Sequence, residues 1–389
     1  MGLNRSKMVV SSNHSLERHS PTLTSLNQML GQFGAILQTT FFPALCESIG
    51  PLDSKKEQLI QAFVLLELEG FVTSRRGAVG RPRHDRVAIA RAFIAKAVYG
   101  LPHTRALIDR LRNDEVLRRL CGWESLSQVP AECAFSRVFA EFARSEFPQR
   151  VHAALIAKTQ KDRLIGHVSR DATAIEAREK PQVKPKTATA VAEAKVPRRK
   201  PGEPKSPEQM KRIERQASMS VEEMLSDLPK ACDVGTKTNS KGSKQAWVGY
   251  KFHLDVADGQ IPISAVLTSA SVHDSQVALP LATLSAQRVT NLYDLMDAAY
   301  DAENIRRHSR SLGHVPIIER VKRGDKPVEM DWSQADRYRE RTAVERVYSR
   351  LKDEFGSKFV RVRGHAKVMV HLMFGLLALT VDQVLRLAT

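Results

Sequence analysis

Between Trp247 and Leu267 the chain spells out an antiparallel hairpin. Val248, Tyr250, Phe252, Leu254 and Val256 alternate with more polar neighbours, Asp258-Gly259 supplies a turn, and Ile261 to Leu267 forms a second apolar run. Alternation of period two is a strand signal and Asp-Gly a hairpin signal, so this segment commits the chain to a sheet. Beyond it the period changes repeatedly: a helix from about Ser275, a strand from Asn291 to Asp297, a helix from Ala302, a strand from Val315 to Ile318, and a helical pattern from Tyr338 to Lys352. Leu164 to Asp171 reads as one further strand upstream. Strands separated by helices are joined by parallel crossovers, so hairpin and crossovers together predict a mixed five-stranded α/β sheet with flanking helices. Pro316 has no backbone donor, which places the last strand at an edge.

The first 160 residues differ. A helical pattern from Lys56 to Glu69 precedes a basic turn from Arg75 to Arg83, and from Val87 to Phe147 apolar residues recur at three and four, broken at Gly100 to Pro102 and near Gly122. This predicts an all-α N-terminal domain. The segment from Pro130 to Phe142 reads either as the second helix of a helix-turn-helix or as an ordinary helix packing on the next domain. Residues 178–205 carry nine Lys or Arg against three Glu, with Pro at 181, 185, 197, 201 and 204. Such a segment buries too little surface to offset chain entropy and is expected to be disordered, either as a basic arm tracking phosphates or as a solvated linker. The expected division is an N-terminal segment (1–85), a helical region (86–158), and an α/β domain (159–389) interrupted by the linker at 178–206.

With 389 residues, two domains are a better expectation than one core. Sixty Lys and Arg against 43 Asp and Glu give a formal charge of +17, which favours a polyanionic partner, nucleic acid first. The bland alternative is a basic protein that binds nothing in particular. Cys46, Cys121, Cys133 and Cys232 show no metal-site spacing and read as reduced thiols in a cytosolic setting. No apolar signal core opens the chain, and Val368 to Val381, interrupted by His371, reads as a core helix rather than a membrane span.

On the helix Tyr338-Arg-Glu-Arg341-Thr-Ala-Val-Glu345-Arg-Val-Tyr-Ser-Arg-Leu-Lys352, Tyr338, Arg341, Glu345 and Lys352 share an arc of roughly 60°. Val344, Val347, Tyr348, Leu351 and Phe355 lie beside it and would dock the helix on a core. Asp171 ends the first strand and Asp297 the fourth. Strand carboxyl ends are where open α/β sheets bind ligands, so both acids should face one crevice that Glu345 closes. Taken singly, a strand-end Asp is ordinarily a turn or cap residue, and Glu345 an i,i+4 surface partner. Together, three acids at one place call for a divalent cation, and oxygen-only ligands favour Mg2+ or Mn2+ over zinc. Two such ions serve phosphodiester chemistry, with Arg341 and Lys352 placed to orient a phosphate.

These residues carry a resemblance. Tyr338, Arg341, Glu345 and Lys352 reproduce the Y-(2)-R-(3)-E-(6)-K signature of bacterial insertion-sequence DDE transposases. Asp297-Ala-Ala-Tyr300-Asp301 and Arg170-Asp171-Ala-Thr-Ala-Ile175 look like that family's second-Asp and first-Asp motifs. Further matches are Trp247 to His253, Ser271-Val-His-Asp274-Ser, and Phe359 to Gly364, so the likeness covers roughly residues 160 to 389; the helical region at 87–150 is similar to the domain that often precedes such a core. The resemblance implies a ribonuclease-H-like catalytic domain of strand order 3-2-1-4-5, with Asp171, Asp297 and Glu345 binding two Mg2+ (or Mn2+) ions. It implies hydrolysis at transposon ends, then attack of the freed 3′-hydroxyl on target DNA, with Tyr338, Arg341 and Lys352 at the DNA phosphates. Its partners would be double-stranded DNA, as terminal inverted repeats and target, and at least one further copy of the chain, in the bacterial cytoplasm on the nucleoid. Asp274 is read as a helix N-cap and His273 is left unassigned.

Two departures stand out. Only 48 residues separate Asp297 from Glu345, too few for the β-rich insertion of some relatives, whereas 76 separate Asp171 from Trp247. The Pro/Lys segment and a helix near Pro207 to Leu228 fill that second gap. Two alternatives remain: an inactive or domesticated DNA-binding descendant, and a ribonuclease-H-like nuclease that cuts without joining. The three acids argue against a pure binding protein, since carboxylates aimed at phosphates weaken binding.

Overall fold

A computed structural model describes residues 47, 52–72, 83–182, 210–238, 242–320 and 330–388. Most of the expected Pro/Lys linker at 178–206 and most of the 1–85 segment lie outside the described residues. Among the described residues six helices come first: α1 (Ser54–Leu66), α2 (Arg86–Val98), α3 (Thr104–Asn113), α4 (Glu115–Cys121), α5 (Glu132–Arg144) and α6 (Phe147–Gln160). Several start where the sequence supplies an acceptor for the free N–H groups of the first turn. Asp53, Asp85 and Asp114 cap α1, α2 and α4, and the His103 ring caps α3.

The sheet has six strands rather than five: β1 (Leu164–Glu176), β2 (Asp233–Thr238), β3 (Lys244–Ala257), β4 (Ile261–Ser269), β5 (Thr290–Met296) and β6 (Val315–Ile318). Its path runs β2-β3-β1-β5-β6, with β4 also paired to β3, so the order departs from the expected 3-2-1-4-5 by the added β2. The hairpin β3–β4 forms as read, with a register shift at Asp255/Val256. β1 is antiparallel to β3 and parallel to β5, and β6 stands at the edge as Pro316 requires. The expected helix at 207–228 is two short pieces, α7 (Arg212–Gln216) and α8 (Val221–Asp227), whose chain then enters β2. Helices α9 (Ala278–Ala286) and α10 (Glu303–Ser311) cover one sheet face.

The expected continuous helix through Tyr338 is broken. α11 (Trp332–Tyr338) gives way to a 3-10 turn over Arg339–Arg341, and α12 (Thr342–Asp353) resumes beyond it. Val344, Val347, Tyr348 and Leu351 dock α12 on the sheet face opposite α9. The last helix, α13 (His365–Ala388), is long and apolar enough to cross a membrane by length and composition. With 83% of its most apolar stretch buried, it is a core helix here.

The N-terminal helices do not close a core of their own. Phe93 of α2, Phe139 and Phe142 of α5, and Phe147 of α6 gather around Phe374 of α13, with ring centroids 5.4, 6.4, 6.1 and 6.5 Å away. One continuous cluster of buried side chains runs from Leu59 to Val384 and includes the inner residues of β1, β3 and β4. Short amphipathic helices need a partner for their apolar faces, and α13 supplies it. The apolar face of α5 is spent in the same way, with Arg137 and Arg144 left exposed.

Gly249 marks the point on β3 where β4 gives way to β2. It pairs with Glu176 on one side and Asp233 on the other, and a Cβ there would overlap the Ile175 carbonyl oxygen. Gly249→Ala is therefore expected to destabilise the protein by at least about 1–3 kcal/mol, read as a lower thermal midpoint. Gly70→Ala, which meets nothing within 4 Å, should shift the midpoint by about 1 °C or less.

Candidate active site

The parallel register of β1 on β5 ends at Arg170 opposite Met296, which brings the next residues, Asp171 and Asp297, side by side. Asp297 stands just past the end of β5, as read. Asp171 does not end its strand: β1 continues to Glu176, still paired with β3, and what ends at Asp171 is only the partnership with β5. Asp297 also accepts from the Ala299 N–H at 3.0 Å, so it is a cap and a site residue at once. From above, Tyr348 of α12 donates its hydroxyl to the Asp171 carbonyl at 2.7 Å, with the Phe252 carbonyl 3.0 Å away.

Arg341, in the 3-10 turn, links the third acid to this pair. Its guanidinium donates to Glu345 Oε1 at 2.6 Å and stands 5.7 Å from the centre of the Tyr338 ring. Its positive field partly opposes the rise that burial imposes on the pKa of Asp171 and Asp297. The Ser169 hydroxyl fixes the turn by donating to the Glu340 carbonyl at 3.1 Å. Tyr338 donates to Glu319 Oε2 at 3.2 Å, and burial together with the charge of Glu319 holds its phenol protonated. Lys352 donates to Thr173 Oγ1 at 2.7 Å, and burial together with Lys237 lowers the pKa of its ammonium. Lys352 thus lies beside β1, two residues beyond Asp171, and bonds Thr173 rather than the acids.

Asp274 corrects an expectation. The N-cap of the short turn at Asp274–Gln276 is His273, whose ring accepts from the Ser275 N–H. The Asp274 carboxylate instead pairs with Lys251 of β3 at 3.0 Å and lies 3.9 Å from Nδ1 of buried His253. Its charge raises the pKa of Asp171 and Asp297, so a fourth carboxylate belongs to the cluster. The signal lay in the Trp247–His253 and Ser271–Ser275 motifs, which carried no role when read apart. Buried Tyr300 adds a hydroxyl without a hydrogen-bond partner among the described residues, and Asp274 and Asp171 both hold it protonated.

Burial pushes the Asp171 carboxyl up from 3.8 to about 6, reinforced by Asp297 and Asp274 and opposed by the Ala172 N–H and Arg341. Asp297 is raised as well, by burial first and then by Asp274. Carboxylates packed at a cost to their charged forms suit a divalent cation, and the donors are all oxygen. As placed, Glu345 is turned to Arg341, and among the described residues no three acidic, His or Cys groups stand within joint reach of one ion. Filling such a site requires Glu345 to leave Arg341, a change open to a side chain about half exposed.

A mixed sheet carries two acids at the β1/β5 boundary, with a third on the helix packed above them, the arrangement of an α/β protein with an acidic cleft. Compared with known families, the sequence matches the transposase DDE domain over residues 168–381, and a second family described as a transposase domain over residues 50–141. The chain belongs to the transposase DDE domain family: it is an insertion-sequence transposase, an enzyme of DNA transposition whose family works with divalent metal ions. Neither the curated proteins nor the solved structures contain a match.

The raised Asp171 pKa sets a pH test. Its folded value near 6 exceeds the ordinary 3.8, so its contribution to stability is fully present below 3.8 and is lost as pH rises through 6. Asp171→Asn has no such loss. In the metal-free protein it is expected to raise the thermal midpoint by roughly 2–4 °C at pH 7.5 and to leave it unchanged at pH 3.5. Mg2+ or Mn2+ should raise the midpoint of the parent at pH 7.5 but not that of the variant.

Proposed function

We propose that the protein cuts DNA at the ends of its insertion sequence and joins the freed 3′-hydroxyl to target DNA, using a ribonuclease-H-like core. Asp171, Asp297 and Glu345 are the acids that hold a pair of divalent ions, Mg2+ or Mn2+. The observation that carries this reading is the register of Arg170 on Met296, which sets Asp171 beside Asp297 while Arg341 ties Glu345 to the same cluster. Two ions held by these acids would supply activation of the attacking oxygen and stabilisation of the departing one.

The chain's own groups do the rest. In the first step water attacks phosphorus and the bond to the 3′ oxygen breaks, leaving a 3′-hydroxyl on the element. In the second, that hydroxyl attacks a target phosphate and displaces another 3′ oxygen. Arg341, released by Glu345, is the cation nearest the reacting phosphate, and its fork suits two phosphate oxygens. Tyr338 and Lys352 flank it along the helix and hold neighbouring phosphates. Lys251 and Asp274 are positioning residues: their 3.0 Å pair fixes the wall of the site next to Asp171 and Asp297. Pairing two transposon ends calls for at least two copies of the chain on double-stranded DNA.

The test uses duplexes that carry the element's terminal repeats, with a plasmid target. Asp297→Asn and Glu345→Gln should each lower metal-dependent nicking by about 10³-fold or more, while DNA affinity changes little. Strand-transfer products should appear with the parent alone. Nicking that persists in Asp297→Asn removes the metal-site assignment, and nicking without joined products makes the protein a nuclease.

A further inference from the structure

Away from the acids, a cavity of about 460 Å3 opens between the N-terminal helices and the segment that follows α12. That volume falls within the roughly 300–1,000 Å3 of sites built for small ligands or single residues. Phe93, Phe139, Phe355 and Phe374 give it an apolar floor. Its charged lining is mostly cationic: Lys96 from α2 and Arg361, Arg363 and Lys367 from the segment after α12. The one acid in the lining, Glu132, is already 3.5 Å from Arg105.

Lys96 is the telling residue. It is only 8% exposed, yet among the described residues neither a carboxylate nor a carbonyl pairs with its ammonium. Burial lowers its pKa to about 8, as expected for an ammonium largely shielded from water. Beside it, His371 keeps a buried Nε2 without a hydrogen-bond partner, and burial with the charge of Lys96 holds that ring neutral. Arg361 and Lys367 are exposed at the mouth and have no ion pair among the described residues. A buried cation without a partner costs stability that an anionic ligand recovers.

We propose that this cavity binds one unpaired nucleotide, its base against the phenylalanine floor and its phosphate among Lys96, Arg361 and Lys367. The space is far too small for a duplex, so the nucleotide must come from a single-stranded stretch. Its place fits a DNA strand: α12 runs about 12 Å from Glu345 to Asp353, and the cavity opens at Phe355 and Gly356 just beyond. A strand leaving the acids along α12 passes Lys352 and reaches the cavity within a few nucleotides. The assignment to DNA rests on the transposase reading; the assignment of a nucleotide rests on the cavity.

The experiment measures fluorescence anisotropy of the full-length protein with a labelled 20-base-pair duplex, blunt or carrying a three-nucleotide single-stranded tail. The tail should tighten parental binding by roughly tenfold. Lys96→Met, which keeps the length and removes the charge, should abolish that gain, leave blunt-duplex affinity within about twofold, and unfold at a temperature no lower than the parent. The exposed pair Arg361→Ala with Lys367→Ala should also lose the gain. A tail that confers no advantage, or an advantage that survives in both variants, overturns the proposal. Equal weakening of blunt and tailed DNA also overturns it, by reducing these residues to general phosphate attraction. A parental midpoint raised by ATP but not by inorganic phosphate, with no tail effect, would give the cavity to a free nucleotide and remove DNA as the source. Asp297→Asn should keep the tail preference while losing nicking, so failure of the cavity assignment and failure of the transposition reading are read separately.

Discussion

The site rests on a buried ion pair on the sheet face opposite Asp171. Arg170 donates to both carboxylate oxygens of Asp255, at 2.8 and 2.7 Å, with both residues essentially inaccessible to water. The pair ties β1 to β3, and Arg170 also reaches the Met296 sulfur of β5 at 3.3 Å. Asp255 and Asp294 keep the guanidinium charged. Helices α9 and α10 complete the network through Ser285 on Asp255 and Ser309 on Asp294, at 2.6 and 2.7 Å, while His314 joins Asp294 at 3.2 Å. Breaking such a pair from one side costs about 3–5 kcal/mol because the remaining charge is left buried. Since strand neighbours point to opposite faces, a rigid Arg170 and Met296 leave Asp171 and Asp297 little freedom to separate.

Much of this was legible from residue order. The period-two run before Asp258-Gly259 identified β3 and β4, the Pro316 strand took its edge, and Asp297 stands at the end of β5. β1 was read as stopping at Asp171 because an acid commonly ends a strand, yet it runs five residues further. Those five residues need only one neighbour, β3, and a one-sided ladder tolerates a sequence such as Ala-Thr-Ala-Ile-Glu. β2 was not legible: Asp-Val-Gly-Thr-Lys-Thr has little apolar pattern and pairs because the first half of β3 extends past β4 and offers a free edge.

The helix through the signature residues shows a different limit. Spacing correctly grouped Tyr338, Arg341 and Glu345, but a uniform helix does not describe the turn at Arg339–Arg341. No Gly or Pro announces that turn; contact with β1 through Ser169 and Glu340 produces it. Asp274 was misread for a related reason. A histidine ring took the capping bond that an aspartate would ordinarily accept, which released the carboxylate for Lys251. Local propensity assigns a role to whichever residue fits best in isolation, whereas the fold assigns it to the residue that lacks another partner. The N-terminal helices follow the same logic: their periodicity says that each has an apolar face and is silent on α13 as the surface that covers it.

Arg341 therefore acts as a stand-in for the cations the acids are suited to hold. It is the cationic group bonded to Glu345, and its field offsets part of the mutual repulsion of Asp171 and Asp297. A divalent ion held by Asp171, Asp297 and Glu345 would carry twice that charge, and Glu345 would have to leave Arg341 to reach it. Arg341, freed of Glu345, would then be a cation next to Tyr338 available to a phosphate. On the proposed reading, the Arg341–Glu345 pair would offset repulsion among the acids before an ion is bound and leave Arg341 for a phosphate afterwards, coupling loading to DNA engagement through a single side chain.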